Sequence, residues 1–283
     1  MKTTFCFIRE QLRNFYSDSD IQSFYYLIME SVCNWNKSFV LRHKDKQLSL
    51  NERIRIQEII EEIKKYCPIQ YILGETEFYG LKFKVNENVL IPRPETEELL
   101  EWLIKEEKTQ RSRFQVLDIG TGSGCIAITL AKYLPKAEVF ALDVSDNALN
   151  VAKRNASMNQ VDVHFFHYNI LKADPFPFPS LTFDCIVSNP PYVTQKEKGA
   201  MAKNVLDYEP HLALFVPQDN PLLFYERIAD FAQTRLNEGG SLYFEVNSRY
   251  GQASAKLLED KNFRSVKLIK DISGNDRIII AKL

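Results

Sequence analysis

The sequence predicts an α/β protein with two parts: a small helical domain, then a larger domain built on a seven-stranded, mostly parallel sheet. Three observations predict it. Residues 1 to about 73 carry apolar side chains at helical spacing, short apolar runs alternate with amphipathic stretches after Arg113, and a period-two segment separates the two regions. At 283 residues the chain also exceeds the usual domain size of about 100–150 residues.

In the N-terminal part, Ile21, Phe24, Tyr25, Ile28, Met29 and Val32 fall on one helical stripe, with Ser19 and Asp20 placed to cap it. Ile56, Ile59, Ile60 and Ile63 repeat the spacing, with Asn51 as a cap and Pro68 beyond the end. Residues 78–85 then alternate toward period two, and Gly80 can take the turn conformation. Asn86-Glu87-Asn88 supplies turn residues before Val89-Leu90-Ile91. The expected organisation is a helical domain at 1–73, a β-hairpin linker at 74–94 and an α/β domain at 95–283. Pro92 and Pro94 stiffen the segment Ile91-Pro92-Arg93-Pro94-Glu95-Thr96-Glu97, and a helix is expected from about Glu95 through Ile104.

Strands are expected at 115–119, 138–143, 163–167, 183–188, 241–246, 265–270 and 277–283. Helices are expected near 124–134, 146–158, 221–236 and 250–261. Only residues 271–276 separate the last two strands. Parallel neighbours need a crossover of roughly a dozen residues, so the final strand should run antiparallel or lie beside a different neighbour.

Composition narrows the function classes. The chain is 45% hydrophobic and 26% charged, as in ordinary globular proteins. No run approaches the roughly 20 apolar residues that span a bilayer, and the first residues do not read as a signal peptide. A cytoplasmic, monomeric enzyme without a membrane partner is expected. The net charge of −1 lacks the basic excess of proteins that grip phosphates, so no direct nucleic-acid binding is expected. The five cysteines and four histidines are scattered, and neither a disulfide framework nor a metal site is expected.

Two motifs carry chemistry. In the first, an apolar strand, Val116-Leu117-Asp118-Ile119, runs into Gly120-Thr121-Gly122-Ser123-Gly124 before a helix. Glycines let the backbone turn sharply and approach a ligand closely. A dinucleotide site uses Gly-x-Gly-x-x-Gly, with the pyrophosphate on the helix N-terminus. Here the spacing is Gly-x-Gly-x-Gly behind Asp118. A carboxylate is awkward beside a pyrophosphate but useful near the ammonium-bearing methionine part of S-adenosylmethionine. Asp143 closes the second strand about twenty residues on, where a carboxylate can accept from both ribose hydroxyls. Taken alone, the glycines leave a structural turn or a nicotinamide site open.

The second motif, Asn189-Pro190-Pro191-Tyr192, follows the fourth strand at its carboxyl end, where open α/β sheets bind ligands. The two prolines fix φ and remove two N–H donors. What remains is a rigid pair of acceptors, the Asn189 side-chain carbonyl and the Pro190 main-chain carbonyl, able to take both hydrogens of an NH2 group. Such a nitrogen is a poor nucleophile because its lone pair is delocalised. Two acceptors out of its plane favour a pyramidal nitrogen, and both bonds strengthen as positive charge develops. Tyr192 offers an aromatic face to a planar group.

The chain resembles the PrmC/HemK family, release-factor glutamine methyltransferases of class I fold with a Rossmann-like, seven-stranded mixed sheet. The residues that carry the likeness span nearly the whole chain: residues 68–74, Phe78-Tyr79-Gly80, Ile91 to Glu97, Asp118 to Gly124, Asn189 to Tyr192 and Tyr208-Glu209-Pro210. The resemblance implies methyl transfer from S-adenosyl-L-methionine, leaving S-adenosyl-L-homocysteine, to the side-chain amide N5 of glutamine in the Gly-Gly-Gln loop of peptide chain release factors. It implies that Gly120 to Gly124 and Asp143 hold the cofactor, that Asn189 to Tyr192 hold the glutamine, and that the helical domain helps dock the release factor. Asn169 stands where the family often has an acidic residue near the adenine, Ile170 where it has a larger ring, and Asn247 where it commonly has glycine. Asn169 should still accept a hydrogen bond. Arg93, Glu95 and Glu97 either line the site or fix the segment that carries them. Competing readings are an adenine N6-methyltransferase of DNA or RNA, a glutamine methyltransferase of a ribosomal protein, and a catalytically silent binding module.

Overall fold

The structure is a computed structural model that describes residues 2–43, 46–107, 114–172 and 175–283. Contacts divide the chain into two units, Met1–Gly74 with Ala202–Tyr208, and Glu75–Met201 with Glu209–Leu283. Elements are numbered in chain order.

The first unit contains α1 (Lys2–Leu12), α2 (Asp18–Cys33), α3 (Lys37–Arg42), α4 (Leu50–Lys64), α5 (Ile69–Leu73) and α9 (Lys203–Tyr208). Ile21, Tyr25, Ile28 and Met29 of α2 bury against Ile56, Ile59, Ile60 and Ile63 of α4, with Ile8 and Leu12 of α1. These are the two stripes expected from spacing. The caps differ from expectation. Ser17 caps α2: its hydroxyl accepts from the Asp20 N–H while the Asp20 carboxylate accepts from the Ser17 N–H. Ser49 and Glu52 do the same for α4. A reciprocal box satisfies two orphan donors at once, so the chain enters the helix at Ser17 and Ser49, leaving Ser19 and Asn51 inside it. The Tyr208 hydroxyl donates to the Lys65 carbonyl at 2.8 Å, and the Lys203 ammonium lies 4.9 Å from the Tyr66 ring centre. These contacts place α9 with the first unit although it is remote in sequence.

The second unit opens with the hairpin β1 (Glu75–Phe78) and β2 (Leu81–Lys84), followed by α6 (Pro94–Glu107), β3 (Phe114–Ile119), α7 (Cys125–Tyr133), β4 (Ala137–Asp143), α8 (Asp146–Asn159), β5 (His164–His167) and β6 (Phe183–Ser188). The short β7 (Val193–Thr194), α10 (His211–Leu214) and β8 (Phe215–Val216) precede α11 (Leu223–Arg235), β9 (Leu236–Glu245), α12 (Gly251–Asp260), β10 (Arg264–Lys270) and β11 (Asp276–Lys282). Expectation stops short of β7, α10 and β8, and β9 begins five residues earlier than its apolar run.

Sequence reading treats the hairpin as a linker, yet it is fastened to the second unit. The buried Asn155 amide accepts from Lys84 N–H at 2.7 Å and donates to the carbonyls of Lys84 and Ser123, each at 2.9 Å. At the turn both Tyr79 (φ 50°) and Gly80 (φ 72°) are left-handed, the combination that a type I′ hairpin turn requires. The Glu97 carboxylate accepts from the Tyr79 N–H at 2.6 Å, anchoring the non-glycine member of that pair.

The main sheet has the order β10-β11-β9-β6-β3-β4-β5. β5, β4, β3, β6 and β9 pair in parallel, while β11 inserts antiparallel to both β9 and β10. The short connection before the last strand required this. Alternate residues face opposite sides: Val116, Cys185, Tyr243 and Ile280 pack with α6 and α7, and Leu117, Ile186, Leu242 and Ile279 with α11 and α12. The chain runs from β3 outward to β4 and β5, then crosses to β6 on the other flank of β3. That reversal opens a crevice at the carboxyl ends of β3, β4 and β6. No described helix is long and apolar enough to cross a membrane.

Candidate active site

The crevice holds a cavity of roughly 1000 Å³ including its open mouth, within the range typical for cofactor-sized ligands. Gly120 and Gly122 line its floor at the end of β3, Asp143 lines it at the end of β4, and Ser188 to Pro191 form a wall at the end of β6. Val89, Leu90, Pro210 and Leu212 border it as well.

The glycine turn is held from below. Gly120 and Thr121 N–H donate to the Leu142 carbonyl at 2.9 and 3.0 Å, tying the end of β3 to that of β4. Asp118 is fully buried; its Oδ2 accepts from the Thr121 hydroxyl at 2.7 Å and from Ala127 N–H at 3.3 Å, while Oδ1 has no partner. Burial pushes this carboxyl up to about 7, against those two hydrogen bonds. Asp118, Thr121, Ser123 and Gly124 therefore lie beneath the cavity floor and shape it, whereas Gly120 and Gly122 face the cavity. Both of these take positive φ, 75° and 54°, and a Cβ on either would meet nothing within 4 Å. Gly124 differs. A Cβ there would lie 2.8 Å from Ile128 Cδ1 and 3.1 Å from Ala152 Cβ, at φ 82°. Gly124→Ala is expected to lower stability by about 1–3 kcal/mol, measurable by denaturant unfolding. An unchanged midpoint would mean that α7 and α8 yield without strain.

Asp143 ends β4 with both carboxylate oxygens already oriented. Oδ2 accepts from Gly122 N–H and Oδ1 from Ser145 N–H, each at 2.9 Å. Burial raises its pKa, opposed by these amides. Each oxygen keeps a lone pair for a further donor, as two vicinal hydroxyls require. Next to it, Leu142, Ala148, Ile170, Phe224 and Ile228 make an apolar slot suited to a flat base. Asn169 lines the slot, but its side-chain oxygen accepts from Leu171 N–H at 3.0 Å. That oxygen keeps a second lone pair, so both it and the amide NH2 remain able to meet a base.

Across the cavity, the Ser188 hydroxyl donates to the Ile119 carbonyl at 2.7 Å and locks β6 to β3. Asn189, Pro190 and Pro191 follow in the wall. The Asn189 Nδ2 donates to Thr96 Oγ1 at 3.1 Å, which leaves Oδ1 for the cavity. Thr96 donates in turn to Glu245 Oε2 at 2.6 Å, and the Tyr192 hydroxyl donates to Glu245 Oε1 at 3.2 Å. Tyr192 is not part of the cavity wall. Its hydroxyl is anchored on Glu245 and its partly buried side chain packs against the α11 and α12 core, which braces the tetrapeptide. Burial and the neighbouring Glu245 raise the Tyr192 pKa. Asn247, at the position expected to be glycine, donates its side-chain N–H to the Tyr192 carbonyl at 3.2 Å and to Glu197 at 3.1 Å.

Arg93, Glu95 and Glu97 do not line the cavity. Arg93 pairs with the buried Glu209 at 2.6 Å, and Glu209 also accepts from Ile91 N–H at 3.3 Å. This pair fixes the two segments that border the cavity mouth. Sequence reasoning missed Thr96, Glu209 and Glu245 as parts of the site. The available signal for Glu245 was a carboxylate inside Leu242-Tyr243-Phe244-Glu245-Val246, an otherwise apolar strand with both faces covered.

A glycine turn on the cavity floor, a carboxylate ending the second strand and an Asn-Pro-Pro wall after the fourth, on a Rossmann-like sheet with an inserted antiparallel strand, are the arrangement of a class I methyltransferase. Family comparison agrees: residues 95–211 match the methyltransferase small domain, and residues 7–74 match the PrmC N-terminal domain. The release factor glutamine methyltransferase of Flavobacterium psychrophilum is 49% identical over 95% of this chain and 94% of its own length. That of Bacteroides thetaiotaomicron is 44% identical over 97% of each. A crystal structure of a methyltransferase from Pyrococcus furiosus shares the fold, with a TM-score of 0.52 and 20% identity over 82% of this chain and 98% of that one. The chain belongs to the release factor glutamine methyltransferase family, PrmC/HemK, and is an enzyme.

Proposed function

We propose that this enzyme methylates the side-chain amide nitrogen of the glutamine in the Gly-Gly-Gln loop of a peptide chain release factor, in the cytoplasm. The observation that carries the reading is the wall at Asn189 and Pro190. Pro190 and Pro191 carry no N–H, and the Asn189 NH2 is engaged by Thr96, a residue that does not line the cavity, which leaves the Asn189 Oδ1 and the Pro190 carbonyl as the acceptors of the wall.

Gly120, Gly122, Asp143, Asn169 and Ile170 would hold S-adenosyl-L-methionine, and the open space over the two glycines and the two amide-oriented oxygens of Asp143 fit its methionine and ribose parts. When bound, that cofactor supplies an electrophilic methyl group on a sulfonium. The protein's own contribution is to hold the nucleophile. Asn189 Oδ1 and the Pro190 carbonyl accept the two amide hydrogens, orient the nitrogen lone pair, and stabilise positive charge as the new bond forms. The prolines keep both oxygens fixed, so little reorganisation accompanies the reaction. After transfer one of the two held hydrogens leaves the nitrogen as a proton. The helical unit, matched by the family's N-terminal domain, would supply the docking surface for the release factor, with the enzyme acting as a monomer.

Incubating the protein with S-adenosyl-L-methionine and a release factor, then mapping added mass by peptide, tests this. One methyl on the loop glutamine, lost when that glutamine is changed to alanine, is expected. Methyl incorporation into DNA, RNA or a ribosomal protein in place of release factor would overturn the substrate.

A further inference from the structure

We infer that Thr96 and Glu245 are positioning residues that set the amide orientation of Asn189, and so decide which of its ends meets the substrate. The inference rests on the glutamine reading above and adds two residues, from α6 and β9, that do not line the cavity.

The geometry forms a directed chain. Glu245 is 1% exposed and Thr96 is 2% exposed, so neither finds an alternative partner in solvent. A carboxylate only accepts, and Glu245 takes the Thr96 hydroxyl on Oε2 and the Tyr192 hydroxyl on Oε1. The single hydroxyl hydrogen of Thr96 is therefore committed to Glu245. What Thr96 can offer Asn189 is a lone pair, so the group of Asn189 that faces it must be the NH2, at 3.1 Å. Oδ1 is left on the cavity side. Rotating the amide by half a turn would set two oxygens against each other at Thr96 and would point a donor at the substrate's own donor. An asparagine side chain has no intrinsic preference between these two states, and the Thr96–Glu245 pair supplies it. Burial raises the Glu245 pKa, while the two hydroxyls and the Arg277 charge oppose that shift and favour the accepting form.

The test is a double-mutant cycle on the full-length enzyme. Thr96→Val, which keeps shape but removes the hydroxyl, should lower kcat by about ten- to thirtyfold with the KM for cofactor and release factor within about twofold. Thr96→Ser should recover most of that loss. In the Asn189→Ala background the same Thr96→Val change should alter kcat by less than about twofold, because there is no amide left to orient. Glu245→Leu, which removes the acceptor of the Thr96 hydroxyl, repeats the measurement should the valine variant prove unstable, and its kcat should fall with KM unchanged. Equal losses in both backgrounds, a loss confined to KM, or full activity of Glu245→Leu would overturn the relay. A substrate-free readout separates this inference from the substrate assignment. In isotope-labelled protein the Asn189 side-chain NH2 should exchange slowly with solvent, and faster in Thr96→Val. Absence of glutamine methylation by wild type would refute the function, whereas unchanged amide exchange in the variant would refute the relay.

Discussion

Replacing Asn189 by alanine is expected to lower kcat by roughly a hundredfold to a thousandfold, with the dissociation constant for S-adenosyl-L-methionine changed by less than about threefold. The large effect follows from where the charge appears. An amide nitrogen gains positive charge only as the methyl bond forms, so an acceptor on its hydrogens stabilises the transition state more than the bound substrate. Removing a preorganised hydrogen-bonding group from such a site typically raises the barrier by about 2.7–4 kcal/mol. Pro190 keeps its carbonyl in the variant, which leaves partial stabilisation. The cofactor contacts proposed for Gly120, Gly122 and Asp143 come from the ends of β3 and β4 rather than β6 and should survive. Stopped-turnover kinetics with calorimetric measurement of cofactor binding separates the two effects. Parallel loss of rate and cofactor affinity would mean that Asn189 serves the cofactor.

Asp143→Ala is expected to act on the other reactant. Two hydrogen bonds from ribose hydroxyls to a carboxylate, each worth about 1.5–3 kcal/mol, would be lost, so cofactor affinity should fall by about a hundredfold to ten-thousandfold. The turnover rate at saturating cofactor should change far less. The structure adds a second consequence. Gly122 and Ser145 N–H both donate to Asp143, and removing the carboxylate leaves them without that acceptor. Stability of the cofactor-free protein should drop by about 1–3 kcal/mol, seen as a lower unfolding midpoint. A variant that binds cofactor normally would show that the nucleoside sits elsewhere.

Much of the fold was legible because it is written in local pattern. The stripes of α2 and α4 and the seven strands of the main sheet follow from spacing of 3.6 or 2, and the antiparallel last strand follows from the short span before it. The elements between 193 and 216 were not legible, since a two-residue strand or a four-residue helix has no period to detect. The helix caps were misplaced because several Ser, Asp and Asn residues stand near each start, and only reciprocal side-chain geometry selects Ser17 and Ser49.

For the site, glycine and proline chemistry is local and could be read directly. Gly120, Gly122, Asp143, Asn189 and Pro190 all reach the cavity. Other roles depend on partners far away in sequence. Thr96 meets Glu245 across 149 positions and Arg93 meets Glu209 across 116, and nothing in either neighbourhood names the other. Tyr192 illustrates the same point. Its aromatic ring is visible in the motif, but the carboxylate on β9 that holds its hydroxyl is not. Asn169 likewise accepts from Leu171 N–H, a local contact that the sequence alone does not reveal.

A crystal structure of the enzyme with S-adenosyl-L-homocysteine and a Gly-Gly-Gln loop peptide tests most directly whether the wall holds the reacting nitrogen. The glutamine amide nitrogen should lie about 2.9 Å from both Asn189 Oδ1 and the Pro190 carbonyl, its free face toward the sulfur. An amide seated elsewhere, or an Asn189 side chain that turns from the cavity when both ligands are present, would contradict the mechanism.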